Sequence, residues 1–182
     1  MTERGSGPFG ALGPAILGLA ALLAGLSAGG HAFGGAPGPS FLLVVLALYA
    51  QRRPATTPPL LVFALGLAHD LARDGPVGAE LIALLITIEA LRGAADRRPA
   101  LGLAQEIARF AGAVVFYNAL VWALLAASYA PTPPIDALGL RALLTALLYP
   151  AAAAALAVLL GLRAGEGRFA HLGLERRRGR LR

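Results

Sequence analysis

Residues 60–91 read LLVFALGLAHDLARDGPVGAELIALLITIEAL, and the reading of this stretch decides the fold. Two apolar arms flank a polar elbow that runs from His69-Asp70 to Asp74-Gly75-Pro76-Val77-Gly78. The arms are too apolar for the surface of a soluble domain. The elbow is too polar for hydrocarbon unless it is paired or reaches water. A helical hairpin with its arms in a membrane and its tip against protein or water satisfies both halves.

The rest of the chain agrees. Its 182 residues are 57% hydrophobic and 14% charged, with a mean hydropathy of +0.68, whereas a soluble domain is about a quarter charged. This length accommodates about five or six membrane helices and no separate soluble domain. The absence of cysteine excludes disulfides, thiolate metal sites and cysteine nucleophiles. The three histidines lie far apart in sequence, so neither a histidine-based metal site nor a cofactor is expected. All sixteen basic residues are arginine. They fall between apolar segments and in the C-terminal tail, which argues against nucleic acid as a partner despite the net charge of +6.

Read in order, residues 1–13 form a cytoplasmic leader, residues 14–162 a single transmembrane helical domain and residues 163–182 a basic cytoplasmic tail. The first span is expected at about 10–28 and is followed by a turn-rich linker to Pro39. The second, 40–51, is about 18 Å long at 1.5 Å per residue, short against a hydrocarbon core of about 30 Å. It must extend, thin the bilayer or be sheltered by neighbours. Arg52-Arg53-Pro54 ends it. The third and fourth spans, about 60–71 and 77–91, are the arms of the hairpin, and a re-entrant pair is the alternative to two crossings. Residues 92–98 read as a basic loop. A fifth span follows at about 107–129, and a sixth at about 138–162 with a kink expected at Pro150.

Placing both termini in the cytoplasm puts Arg52, Arg53, Arg97, Arg98, Arg176, Arg177 and Arg178 inside with most other arginines, and only Arg73 and Arg141 outside. That asymmetry is the positive-inside pattern of about six spans. The expected fold is therefore an all-α polytopic membrane bundle with both termini cytoplasmic.

Several polar residues stand out against this background. Asp70 can pair with Arg73 at i,i+3. The elbow is then either a polar knot that fixes the hairpin or meets a partner, or an interfacial helix end with solvated charges. A metal site at the elbow lacks ligands, because nothing near His69, Asp70 and Asp74 in sequence completes a shell. Gly75, Pro76 and Gly78 suit a tight turn. Glu80 lies one turn inside the fourth span and calls for a partner. Arg141, at the matching level of the sixth span, is the expected one. Glu89 pairs more simply with Arg92. Asn118, mid-membrane, is expected to hydrogen-bond to a neighbouring helix. Residues 25–29 match G-x-S-x-G around Ser27, but the serine ends an apolar helix and lacks the strand-to-helix elbow, base and oxyanion hole of a hydrolase.

Three features in order, RRP (Arg52 to Pro54), G-L-x-x-D-L (Gly66, Leu67, Asp70, Leu71) and G-P-V-G (Gly75 to Gly78), resemble the rod shape-determining protein MreD family of bacterial inner-membrane proteins. The family typically has a Gln-Asp pair where this chain has His69-Asp70. The resemblance implies a non-enzymatic subunit of the cell-elongation complex, which includes the membrane protein MreC, the actin-like MreB and the peptidoglycan synthases of lateral-wall growth. It also implies a helical fold related to the solute-binding subunits of energy-coupling-factor transporters, and such a transporter subunit is the alternative function. Partner contacts are expected at Gly66, His69, Asp70, Asp74, Gly75, Pro76 and Gly78 and on exposed faces of spans two to four. The tail arginines are expected to meet anionic lipid, at about 1 kcal/mol each.

Overall fold

The computed structural model describes residues 12–31, 38–72, 78–97 and 102–160, with side chains for 12–25, 38–72, 78–97 and 102–158. The leader up to residue 11, the side chain of Ser27, Arg73, Asp74, Gly75, Pro76, Arg98 and the tail with Arg176, Arg177 and Arg178 lie outside these. The described chain is all-helical: α1 (Leu12–His31), α2 (Phe41–Arg52), α3 (Pro59–Leu71), α4 (Ala79–Arg97), α5 (Leu103–Ala127) and α6 (Ile135–Leu160).

The bundle is built around α2. Its sequence, FLLVVLALYAQR, has no polar stripe, and from Leu42 to Ala50 only Val45 is not fully buried. A helix apolar all round must be enclosed, and α1, α4 and α6 enclose this one. The shortness of this segment is thus met from within the chain. The expectation that a partner covers span two is corrected accordingly, since α2 has almost no surface to offer. The chain leaves α2 through a 3₁₀ turn at Pro54–Thr56. It enters α3 at Pro59, where the missing amide proton of proline costs nothing.

The hairpin arms pack closely. A Cβ built on Gly66 of α3 would lie 2.7 Å from Leu81 Cδ1 and 3.4 Å from Leu81 Cα of α4. Gly18 of α1 is as tight, its Cβ position 2.5 Å from Leu65 Cδ1 of α3. α4 begins after Gly78, whose φ of 109° lies in the region that favours glycine, and runs on to Arg97. The basic loop expected from residue 92 is therefore mostly helix. Arg92, Ala94, Ala95 and Arg97 are good helix formers, and arginine suits a helix C-terminus. α1 likewise continues through Gly29 and Gly30 to His31, into the expected linker. Glycine lowers helix propensity without blocking the backbone ladder.

α5 and α6 form a second hairpin. α5 closes with Tyr129 N–H donating to Ala126 O at 3.2 Å and Ala130 N–H to Leu125 O at 3.0 Å, the paired bonds of a Schellman cap. Tyr129 holds the left-handed position at φ 56° and is 98% exposed. α6 runs through Pro150 as one helix. Residues 103–127 and 135–158 are each long and apolar enough to cross a membrane; α2, α3 and the first part of α1 are shorter apolar helices.

Gly66→Leu is expected to lower the unfolding free energy by about 1–3 kcal/mol through overpacking against α4. Gly112→Ala on α5, where an added Cβ meets nothing within 4 Å, is expected to raise it by about 0.5–1 kcal/mol. Thermal unfolding of the purified variants measures both, and equal effects would refute the close α3–α4 crossing.

Candidate functional site

Two buried polar networks lie at opposite ends of α2, and each is centred on an arginine, a glutamate and a tyrosine. At the Ser40 end, Arg141 of α6 donates from Nη1 to Glu80 Oε1 of α4 at 3.0 Å and from Nη2 to Glu80 Oε2 at 3.3 Å. The same guanidinium donates to Ser40 Oγ from Nε at 3.2 Å and from Nη2 at 2.9 Å. Tyr117 of α5 donates its hydroxyl to Glu80 Oε2 at 3.3 Å, and its ring lies 5.7 Å from the Arg141 guanidinium carbon. Ser40 N–H donates to Thr145 Oγ1 at 3.0 Å, and Thr145 donates to Arg141 O at 2.6 Å. The ion pair anticipated from the matched levels of Glu80 and Arg141 is thus part of a network that joins α2, α4, α5 and α6.

At the other end, Arg52 of α2 donates from Nε to Glu106 Oε1 of α5 at 2.8 Å and from Nη2 to Oε2 at 3.3 Å, the two-pronged geometry in which arginine binds carboxylate best. Its Nη1 donates to Ala153 O of α6 at 3.3 Å. Tyr149 of α6 donates to Glu106 Oε1 at 2.7 Å, accepts from Gln51 Nε2 at 2.8 Å and stacks on Phe110 with ring centroids 4.1 Å apart. The side chains of Arg52 and Glu106 are 6% and 2% exposed. Arg52 is therefore a buried structural cation, whereas Arg53 and Arg97 are exposed. Sequence reading missed Glu106, Tyr149, Gln51, Ser40 and Thr145 altogether. The level-matching that linked Glu80 with Arg141 would also have linked Glu106 with Arg52.

The hairpin tip is organised by Asp70. Its Oδ2 accepts from Gly78 N–H at 2.7 Å and from Leu81 N–H at 3.2 Å, so the last turn of α3 caps the first turn of α4. Asp70 is 5% exposed. For Asp70 this corrects the reading of a solvated charge at a helix end, because unsatisfied amides at the α4 N-terminus attract the carboxylate more effectively than water does at this buried position; Arg73 and Asp74 lie outside the described residues. His69 Nδ1 lies 3.1 Å from Glu80 Oε2 and 3.9 Å from Asp70 Oδ1. A pocket with about 10 Å³ free, lined by Ser40, Gly66, His69, Glu80, Leu84 and Tyr117 among others, adjoins them and accommodates about one water.

Two further expectations resolve simply. Glu89 accepts from Arg92 Nη1 at 2.7 Å. Among the described residues Asn118 bonds within its own helix, its Nδ2 donating to Val114 O at 2.8 Å, one turn back in α5. Its buried Oδ1 has no hydrogen-bond partner among the described residues. The i−4 carbonyl lies within reach of an amide on the same helix, so the local bond forms without help from a neighbour.

Glu80→Gln and Arg141→Gln are each expected to destabilise the protein by about 3 kcal/mol, because each leaves a buried charge without its partner. The double variant should recover about 1–3 kcal/mol of the summed loss. A strictly additive double variant in the same unfolding assay would show that the pair is not coupled. No family model matches this chain, and no curated protein or solved structure is significantly similar to it.

Proposed function

We propose that the chain is a multi-pass inner-membrane subunit of the bacterial cell-elongation complex, related to the MreD family, and that it acts through helix-to-helix contacts rather than chemistry. The observation that carries this reading is the part that Arg52, Pro54, Gly66, Asp70 and Gly78, among the resembling residues, play in the fold. Arg52 anchors α2 to α5 and α6. Pro54 opens the turn after α2. Gly66 permits the α3–α4 contact, Asp70 caps α4 across the elbow and Gly78 supplies its positive φ.

The membrane part of the reading rests on surface chemistry. Large apolar residues are exposed on α1 (Ile16, Leu23), α3 (Leu60, Phe63), α4 (Ile82, Ile86), α5 (Val115, Phe116) and α6 (Leu143, Leu147). A soluble bundle would bury such faces. Helix directions support the topology proposed. α2 meets Arg141 and Thr145 of α6 with its first residues and Ala153 with its last, so α2 and α6 are parallel. α5 joins Glu106 to one network and Tyr117 to the other, so it is antiparallel to both. α3 leaves the Arg52 end and reaches the Arg141 end at His69, and α4 returns from Glu80. The hairpin arms thus run between the levels of the two networks, whereas α5 and α6 are longer. Arg52, Arg53, Arg92, Arg97 and Arg109 all lie toward one end, which the positive-inside bias assigns to the cytoplasm. Tyr129, exposed beyond the other end, suits an interfacial aromatic anchor.

On this reading the partners are an MreC-like membrane protein and, through it, an MreB-like actin and the wall-elongation synthases, with anionic lipid at the basic tail. The alternative, a solute-binding transporter subunit, needs a ligand cavity, and a pocket for about one water is not one.

Because the chain has no cysteine, single-cysteine labelling tests the topology cleanly. Thr132→Cys, between α5 and α6, is expected to react with a membrane-impermeant maleimide in intact cells, and Ala55→Cys, between α2 and α3, only after permeabilisation. Labelling of Ala55→Cys in intact cells would overturn the orientation. Mild solubilisation of native membranes with tagged protein is expected to recover MreC-like and wall-synthase subunits. Recovery of transporter ATPases and their membrane coupler instead would refute the elongation-complex reading.

A further inference from the structure

We propose that His69, Asp70 and Glu80 form a binding site for one divalent transition-metal ion of the zinc type. In the sequence nothing near His69, Asp70 and Asp74 completed a shell. In the fold α4 supplies a third ligand, because the hairpin brings Glu80 back beside His69. One imidazole nitrogen and two carboxylate oxygens lie within 4.8 Å of one another. A tetrahedral zinc with ligands at about 2.0–2.2 Å keeps nitrogen and oxygen ligands about 3.3–3.6 Å apart. The separations of 3.1 Å from His69 Nδ1 to Glu80 Oε2 and 3.9 Å to Asp70 Oδ1 bracket that range, so small side-chain rotations close the shell.

The ligands are held in place by partners of their own, as ligands at metal sites commonly are. Asp70 uses Oδ2 to cap α4, which turns Oδ1 toward His69. Glu80 is gripped by Arg141 and Tyr117. The pocket lined by His69, Glu80, Ser40 and Tyr117 provides room for about one water as a fourth ligand. Asp70 and Glu80 bring two negative charges to the dication, and His69 binds as the neutral imidazole. Arg141 keeps its ion pair with Glu80 at 3.0 and 3.3 Å and also donates to Ser40 Oγ. The single imidazole favours zinc, cobalt or nickel over magnesium or calcium, and the absence of thiolate disfavours cuprous copper. The side chains of His69 and Glu80 are 11% and 19% exposed, so an ion can enter from the end of the hairpin.

The competing account is a plain hydrogen bond between His69 and Glu80, and metal analysis separates the two. Protein purified with a histidine-free tag is stripped with chelator, dialysed against zinc or cobalt chloride and analysed for bound metal. One equivalent per chain is expected, with visible d–d absorption for cobalt and a higher melting temperature for the loaded form. Asp70→Asn is the decisive variant. Asparagine remains a good N-cap, so the fold is kept, but its amide nitrogen takes the place of Oδ1 and the bound metal should fall to background. His69→Ala should do the same, while a variant with His31→Ala and His171→Ala should retain the full equivalent. Folded wild-type protein without a stoichiometric ion, or uptake that persists in folded Asp70→Asn, would overturn the proposal.

Discussion

Burying a guanidinium in an apolar bundle is the constraint on which the rest of this structure depends. In the membrane setting proposed above, hydrocarbon would offer no hydrophobic gain for packing one helix against another, so the groups that must find polar partners would decide which helices meet and at what height. Arg141 and Arg52 are such groups. Each takes a glutamate from another helix and a tyrosine from a third. The two networks sit at the ends of α2, about 18 Å apart at the rise of an α-helix. Together they reach α2, α4, α5 and α6, and sliding any of these by one turn would strand a charge. Apolar contacts along the core give density, while the two arginines give register.

That arrangement also explains how a 12-residue helix occupies the middle of the bundle. α2 reaches polar partners at both ends without needing to be longer, because its neighbours bring those partners to it. Ser40 opens it beside Arg141, and Arg52 closes it against Glu106. Longer helices continue past these levels on the outside, where α5 and α6 expose Val115, Phe116, Leu143 and Leu147.

Much of this was legible in the sequence, and the losses follow a pattern. Helix number and order came from apolar runs and breakers, which act locally. The Glu80–Arg141 pair was readable because a carboxylate inside an apolar run calls for a partner and Arg141 was the cation at its level on the sixth span. Glu106 was overlooked because it stands near the start of its helix, where a solvated glutamate raises no question. Arg52 was overlooked as a buried ion because the same position serves equally well as a topological marker. Asp70 was placed in the right segment, but its bonds to Gly78 and Leu81 were missed, because those amides are near only once the hairpin has closed. Asn118 erred in the opposite direction, with a distant partner assumed where the carbonyl of Val114 was at hand. Local rules locate polar residues; their partners depend on which helices face each other.

The elbow residues that resemble a family pattern are those whose work is internal to this chain. Asp70 spends Oδ2 on the amides of α4, and Gly66 gives up a side chain so that the two helices can touch. Neither leaves much surface for another protein. If the chain is a scaffold subunit, these residues serve partners indirectly, by fixing the angle and depth at which α3 and α4 present Leu60, Phe63, Ile82 and Ile86 outward. A rigid hairpin lowers the entropy that a contacting helix must give up on docking, which is the advantage of preorganisation. An ion held among His69, Asp70 and Glu80 would act in the same sense. It would tie the end of α3 to the start of α4 through bonds stronger than the hydrogen bond it replaces, and would make the shape of that surface depend on metal supply.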